Sequence, residues 1–244
     1  MFALLCGAAF AASPRQPVWV VLVDRSLDSP VLTRTDAIRA VLLSGRAAVK
    51  PKGRVAAAGF TSNALSRMTF PVSDDFSKPP PGVVGDNPAL VKLARDAQVA
   101  ALAADALQVL FPNLRVRGSD IVGALLATAK GPLGPPHGPA LIVLASNMLE
   151  WSVADRLFFT NSAPETAADR KLVLDRLAKE GRIPNLHGAC VLVIGAGRLA
   201  KGTIGATRYR QVEKFWRAYL ARAHARLAAW QPRVPNRLPA PCRA

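Results

Sequence analysis

An α/β fold, with a mostly parallel central sheet flanked by helices on both faces, is predicted by two features of the sequence. Short apolar runs without alternation recur at 18–23 (VWVVLV), 54–60 (RVAAAGF), 140–146 (ALIVLAS) and 190–195 (CVLVIG), the continuous pattern of strands buried on both faces. Helical patterns separate them, at 35–45, 87–111, 119–130 and 163–181, so strand alternates with helix as in a three-layer domain.

Each element carries local punctuation. Thr33 and Thr35 precede the first helical run, Asn87 and Pro88 open the second at cap and N1 positions, and Ser119 precedes Asp120 at the third. Gly45, Gly131 and Gly181 follow helical runs, where a left-handed residue often ends the helix. A final amphipathic helix is expected over about 207–230. Val212, Phe215, Trp216, Tyr219, Leu220, Ala223 and Leu227 form its apolar stripe, and Arg210, Lys214 and Arg217 lie opposite. The segments 73–88 and 131–139 are Pro-rich and read as surface loops, and the Pro- and Arg-rich tail at 231–244 reads as unpacked. One domain over 17–230 accommodates these elements.

The start, MFALLCGAAFAASPRQP, joins an apolar run to small residues and reads over 1–12 as a signal-peptide-like leader without a basic n-region. Export to the periplasm or medium follows if that leader is real, and a cytoplasmic location otherwise. No apolar run has the length of about 18 residues needed for a transmembrane segment. The cysteines, Cys6, Cys190 and Cys242, lack metal-ligand spacing, and Cys190 reads as a buried strand thiol.

The chain carries 32 Lys and Arg against 16 Asp and Glu, a net charge of +16. Residues 198–244 hold eleven of these bases and a single acid, Glu213. The excess favours acidic partners, whether nucleic acid, anionic lipid or an acidic protein, and is also compatible with a solvated arginine-rich face.

In open α/β sheets, sites form beyond the carboxyl ends of the strands. The first apolar run is followed by Asp24, Ser26, Asp28 and Ser29; Ser119 and Asp120 stand before the third helix; Asn147 and Glu150 follow the third run. Carboxylates, hydroxyls and an amide without His or Cys suit a hard cation, Mg²⁺ or Mn²⁺. Without metal, the same residues serve as caps and turns: Asp24 on local backbone, Ser119 on a helix, Asn147 in a loop.

VLVDRSLDS, GSDIVGAL and LIVLASNMLE together resemble, in order and spacing, the metal-ion-dependent adhesion site of the von Willebrand factor type A family in its bacterial form. The resemblance spans most of 18–229. It implies a Rossmann-like three-layer fold and a non-enzymatic, protein-binding module whose cation meets a partner's carboxylate. Asp24 and Ser26 match the family's first loop, whereas Asp28 stands for its second Ser, Ser119 for its Thr and Asn147 for its third-loop Asp. These departures move one negative charge from the third loop to the first.

Other chemistries are less well supported. Gly195, Gly197 and Ala200 satisfy the dinucleotide fingerprint after a strand, yet the sequence that follows offers no second strand by periodicity. His137, His187 and His224 accompany no nucleophile elbow, and no phosphate-cradling Gly-Lys-Ser/Thr occurs. The alternative function is a nucleic-acid-associated protein that uses the basic C-terminal helix and tail through charge alone, since the aromatics there belong to the apolar stripe.

Overall fold

The computed structural model describes residues 15–27, 34–80, 82, 87–110, 116–134, 138–159, 161–199 and 202–242. At its centre β1 (Val18–Asp24) is buried along all seven residues. It pairs in parallel with β2 (Arg54–Phe60) on one side and with β4 (Ala140–Ala145) on the other, with Val20 opposite Ala56 and Ile142. β7 (Cys190–Ile194) continues the parallel set beside β4, and β8 (Arg226–Gln231) follows beside β7. The short β3 (Val72–Asp75) runs antiparallel at the β2 edge, giving a six-stranded sheet in the order β3-β2-β1-β4-β7-β8.

Alternate residues of β1 face opposite layers, as the strand's period of two demands. Trp19, Val21 and Val23 pack with α1 (Arg34–Val49) and α3 (Pro88–Val109), through Ala40, Val41, Val99 and Leu102. Val18, Val20 and Leu22 pack with α4 (Ile121–Lys130), α5 (Ala167–Lys179) and α6 (Ala206–Arg222). The fold is therefore the three-layer α/β arrangement expected from the alternating runs. A short helix, α2 (Ala64–Arg67), and a two-stranded hairpin of β5 (Trp151–Ser152) and β6 (Leu157–Phe158) complete it.

Several boundaries differ from the sequence reading, each for a physical reason. α1 runs through Thr35 and Gly45 to Val49. Gly45 ends no helix; it is the point where α1 comes close to α3, since a Cβ there would lie 3.2 Å from Val99 Cγ1. The cap of α4 is Asp120, whose carboxylate accepts from Gly123 N, and Gly131 ends that helix at φ −100°, outside the left-handed region. Gly181 does take the left-handed conformation after α5. That helix starts at Ala167 because Thr166 and Asp169 form a reciprocal capping box.

The final helix stops at Arg222, and His224, at φ 51°, turns the chain into β8. The open edge of β7 offers residues 226–231 backbone partners, with one register shift at Ala228, and this outweighs the helical spacing of Leu227. The tail is packed as well: Val234 is buried, Leu238 packs against the α1–α3 layer, and Cys242 exchanges both backbone hydrogen bonds with Ala140. Cys190 forms a disulfide with Cys242 rather than remaining a thiol. The leader at 1–12 and the loop at 28–33 lie outside the described residues. Among the described residues, no helix is long and apolar enough to cross a membrane.

Candidate functional site

From β1 the chain crosses through α1 to β2, while from β4 it crosses through α5 to β7 on the other side. The connections diverge at adjacent strands, and this opens a crevice beyond their carboxyl ends. Asp24, the last residue of β1, faces it and is only 3% exposed. Its Oδ2 accepts from Ser119 Oγ at 2.7 Å and from Ser146 Oγ at 2.8 Å, and its Oδ1 accepts from Ser26 N at 3.0 Å. Burial raises the Asp24 pKa, and these donors draw it partly back.

Ser119 arrives on the loop before α4, where its N–H and C=O both pair with Trp151 across the base of the hairpin. The Ser26 hydroxyl is buried beside Asp24 and also draws its pKa down, but it meets no group in well-formed hydrogen-bond geometry. Asn147 is buried in the adjacent turn, where its Oδ1 accepts from Leu149 N at 2.9 Å and its main-chain oxygen accepts from Gly197 N. The structure thus brings Asp24, Ser26 and Ser119 together and holds Asn147 beside them with its side-chain oxygen engaged by the turn. Asp28 lies outside the described residues.

Ser146 belongs to this cluster and was missed, because it reads as the last letter of the strand ALIVLAS. The strand ends at Ala145, which makes Ser146 the first residue past it.

A second polar cluster lies behind the first. Asp120, Glu150 and Asp155 are buried, and one oxygen of each lies within 4.8 Å of the others. Glu150 Oε2 accepts from Ile121 N at 2.8 Å, while Oε1 meets no donor. Arg182 forks onto both oxygens of Asp155 and stands 3.7 Å from Asp120 Oδ1. Burial first, then the charges of Asp120 and Asp155, push the Glu150 carboxyl well above the usual range. Tyr219, whose hydroxyl donates to Arg182 O, is raised by burial and by Glu150. Asp155 and Arg182 fall in stretches without a motif, so nothing in their spacing points to this cluster.

No protein-family model matches the sequence, and no curated protein matches it. Among solved structures, the pilus adhesin SpaC from Lactobacillus rhamnosus GG in its open conformation aligns with 88% of this chain at 13% identity and a TM-score of 0.41. A second crystal form of that adhesin aligns with 84% of the chain at 13% identity and a TM-score of 0.40. In both cases this chain spans 28% of the adhesin's length.

A hard cation fits the strand-end cluster in a limited way. Ser119 and Ser146 donate their protons to Asp24 and keep oxygen lone pairs, and the orphaned Ser26 hydroxyl offers a further oxygen. With one carboxylate among the described members, such an ion would keep several waters, as Mg²⁺ commonly does. The glycine fingerprint has a different explanation. β7, α6 and β8 do form a βαβ unit, contrary to the sequence reading, but α6 begins only at Ala206 and not within the glycine turn. A Cβ on Gly197 would collide with the Tyr209 ring, so packing accounts for that glycine.

Proposed function

We propose that this chain is a non-enzymatic protein-interaction module, whose binding face is the strand-end crevice between β1 and β4. The observation that carries this reading is the cluster of Asp24, Ser119 and Ser146 with the orphaned Ser26 hydroxyl, set where a sheet of this order places its ligands. The von Willebrand factor type A resemblance, and the antiparallel edge strand beside an otherwise parallel sheet, support it further.

The cluster itself is buried, so it organises the loops above it. Leu27 and Val153 are exposed there, as is Arg117, next to the backbone bond from Leu27 N to Val116 O. An apolar anchor and a cation suit an acidic protein partner. Mg²⁺ or Mn²⁺ held by Ser26, Ser119 and Ser146, with Asp24 acting through water, would add a contact for a partner's carboxylate. The Cys190–Cys242 disulfide supports a periplasmic or secreted location, since such bonds persist where thiols are not kept reduced.

The nucleic-acid alternative gains less support. Arg198 donates to Pro232 O and Arg208 to Asn161 O, while Arg217 and Arg222 pair with Glu213 and Asp175. Four of the C-terminal arginines are thus engaged locally, two of them with carboxylates.

Calorimetric titration with Mg²⁺ and Mn²⁺, and a pull-down from envelope and secreted fractions, test the proposal on wild type and Ser26→Ala. Saturable binding and partner capture that both weaken in the variant support it. Capture indifferent to Ser26→Ala and to Asp24→Ala removes this face from consideration.

A further inference from the structure

The buried trio of Asp120, Glu150 and Asp155 is not used by the strand-end site, and its composition is unbalanced. Three carboxylates meet one guanidinium, that of Arg182. The first turn of α4 contributes three amides, Ile121 N and Val122 N toward Glu150 and Gly123 N to Asp120, worth about half a positive charge. With all three ionised, as a bound cation requires, between one and two negative charges remain without a counter-charge, and buried charge of that size is strongly unfavourable unless a cation pairs it or a proton removes it. Glu150 adds an independent sign. It is 0% exposed, and its Oε1 accepts nothing, although its other oxygen is fully placed on the helix start.

We propose that Asp120, Glu150 and Asp155 bind one structural Ca²⁺, which ties the start of α4 to the β5–β6 hairpin and to the Arg182 loop. The geometry favours calcium over magnesium. Ca²⁺ accepts irregular sets of carboxylate oxygens, whereas Mg²⁺ demands a near-ideal octahedron and usually keeps several waters; the trio is buried, with one oxygen of each residue within 4.8 Å of the others. The Ser152 hydroxyl, already on Asp155 Oδ2 at 2.8 Å, supplies a neighbouring oxygen. Arg182 stays on Asp155 and orients that carboxylate, as outer partners commonly orient metal ligands. The ion would also brace the strand-end face, since Ser119 and Trp151, the residues next to Asp120 and Glu150, are joined by two backbone hydrogen bonds. This site is independent of the cation proposed at Asp24.

The test strips the full chain with EDTA, refolds it with Ca²⁺, removes loosely held ions by gel filtration and measures metal per chain by mass spectrometry. Wild type and Asp24→Asn should each retain one Ca²⁺ and melt at lower temperature in EDTA, whereas Glu150→Gln should retain none and be indifferent to EDTA. Wild type without Ca²⁺ and with an EDTA-independent melting temperature overturns the proposal, and would mean that a proton on Glu150 balances the cluster. Equal retention by Glu150→Gln overturns it too. If Glu150→Gln does not fold, Tb³⁺ luminescence excited through the aromatic side chains of wild type decides: Ca²⁺-displaceable emission in wild type and Asp24→Asn supports the site, and its absence overturns it. Loss of Mg²⁺ binding in Asp24→Asn bears on the strand-end site alone.

Discussion

Ser119 donates its hydroxyl proton to Asp24 at 2.7 Å, across 95 positions of sequence, and so joins the loop before α4 to the end of β1. The acceptor is buried, so its oxygens depend on such donors. Ser119→Ala should cost about 1–3 kcal/mol of stability, the range for a buried charged acceptor that loses one partner. Ser146→Ala should cost a similar amount, and the double variant should depart from the sum because both hydroxyls serve the same oxygen. Urea unfolding of the three variants measures this.

Ser26 behaves differently. Its buried hydroxyl lies beside the Asp24 carboxyl and favours its charged form without meeting it in well-formed hydrogen-bond geometry, so removing it should cost little. Ser26→Ala should leave stability within about 0.5 kcal/mol of wild type, while Mg²⁺ affinity falls. A variant that is clearly destabilised would indicate that the hydroxyl has a structural partner, and the case for it as a cation ligand would weaken.

The layered fold was legible because the strands are parallel and fully buried: VWVVLV and CVLVIG admit little else between amphipathic segments. The strand-end residues Asp24, Ser26 and Ser119 were legible because a sheet of this kind presents the ends of its strands. What escaped depended on tertiary context. RLAAWQ reads as helix by spacing and becomes β8 because β7 has an open edge. Cys190 reads as a core thiol until the tail returns Cys242 to the same edge. Asp155 and Arg182 meet only because the hairpin turn and the loop after α5 converge on α4.

The Cys190–Cys242 bond closes a loop over 52 positions and anchors a tail that otherwise holds through Val234, Leu238 and the Ala140 bridge. Closure of a loop of this length restricts the unfolded chain by about 4 kcal/mol in the entropic model, and measured effects are commonly about 2–4 kcal/mol. Reduction, or Cys242→Ser, should therefore lower stability by about that amount and expose the tail to proteolysis near Leu238. Denaturant unfolding with and without reductant, followed by limited proteolysis, reads both effects.

Glu150 sets the pH dependence expected when divalent cations are chelated. Burial and the facing charges of Asp120 and Asp155 raise its folded pKa, against the opposing Ile121 and Val122 amides, and burial also raises Asp120 and Asp24. A group with a raised folded pKa binds more protons in the native state, so its stabilising effect is full below the unfolded carboxylate values of about 3.9–4.3 and is lost as pH climbs through the folded value. Asp75, Asp169 and Asp175 are lowered and act in the opposite sense, but their stabilisation is lost only below about pH 4. Between pH 5 and 8 the raised group dominates. In EDTA the melting temperature should therefore fall as pH rises over that interval, and Glu150→Gln, which cannot ionise, should flatten the slope. Added Ca²⁺ should reverse it in wild type, because the ion competes with protons for the same oxygens. Scanning calorimetry at matched ionic strength separates the two behaviours, and a slope unchanged in Glu150→Gln would assign it to Asp120 or Asp24 instead.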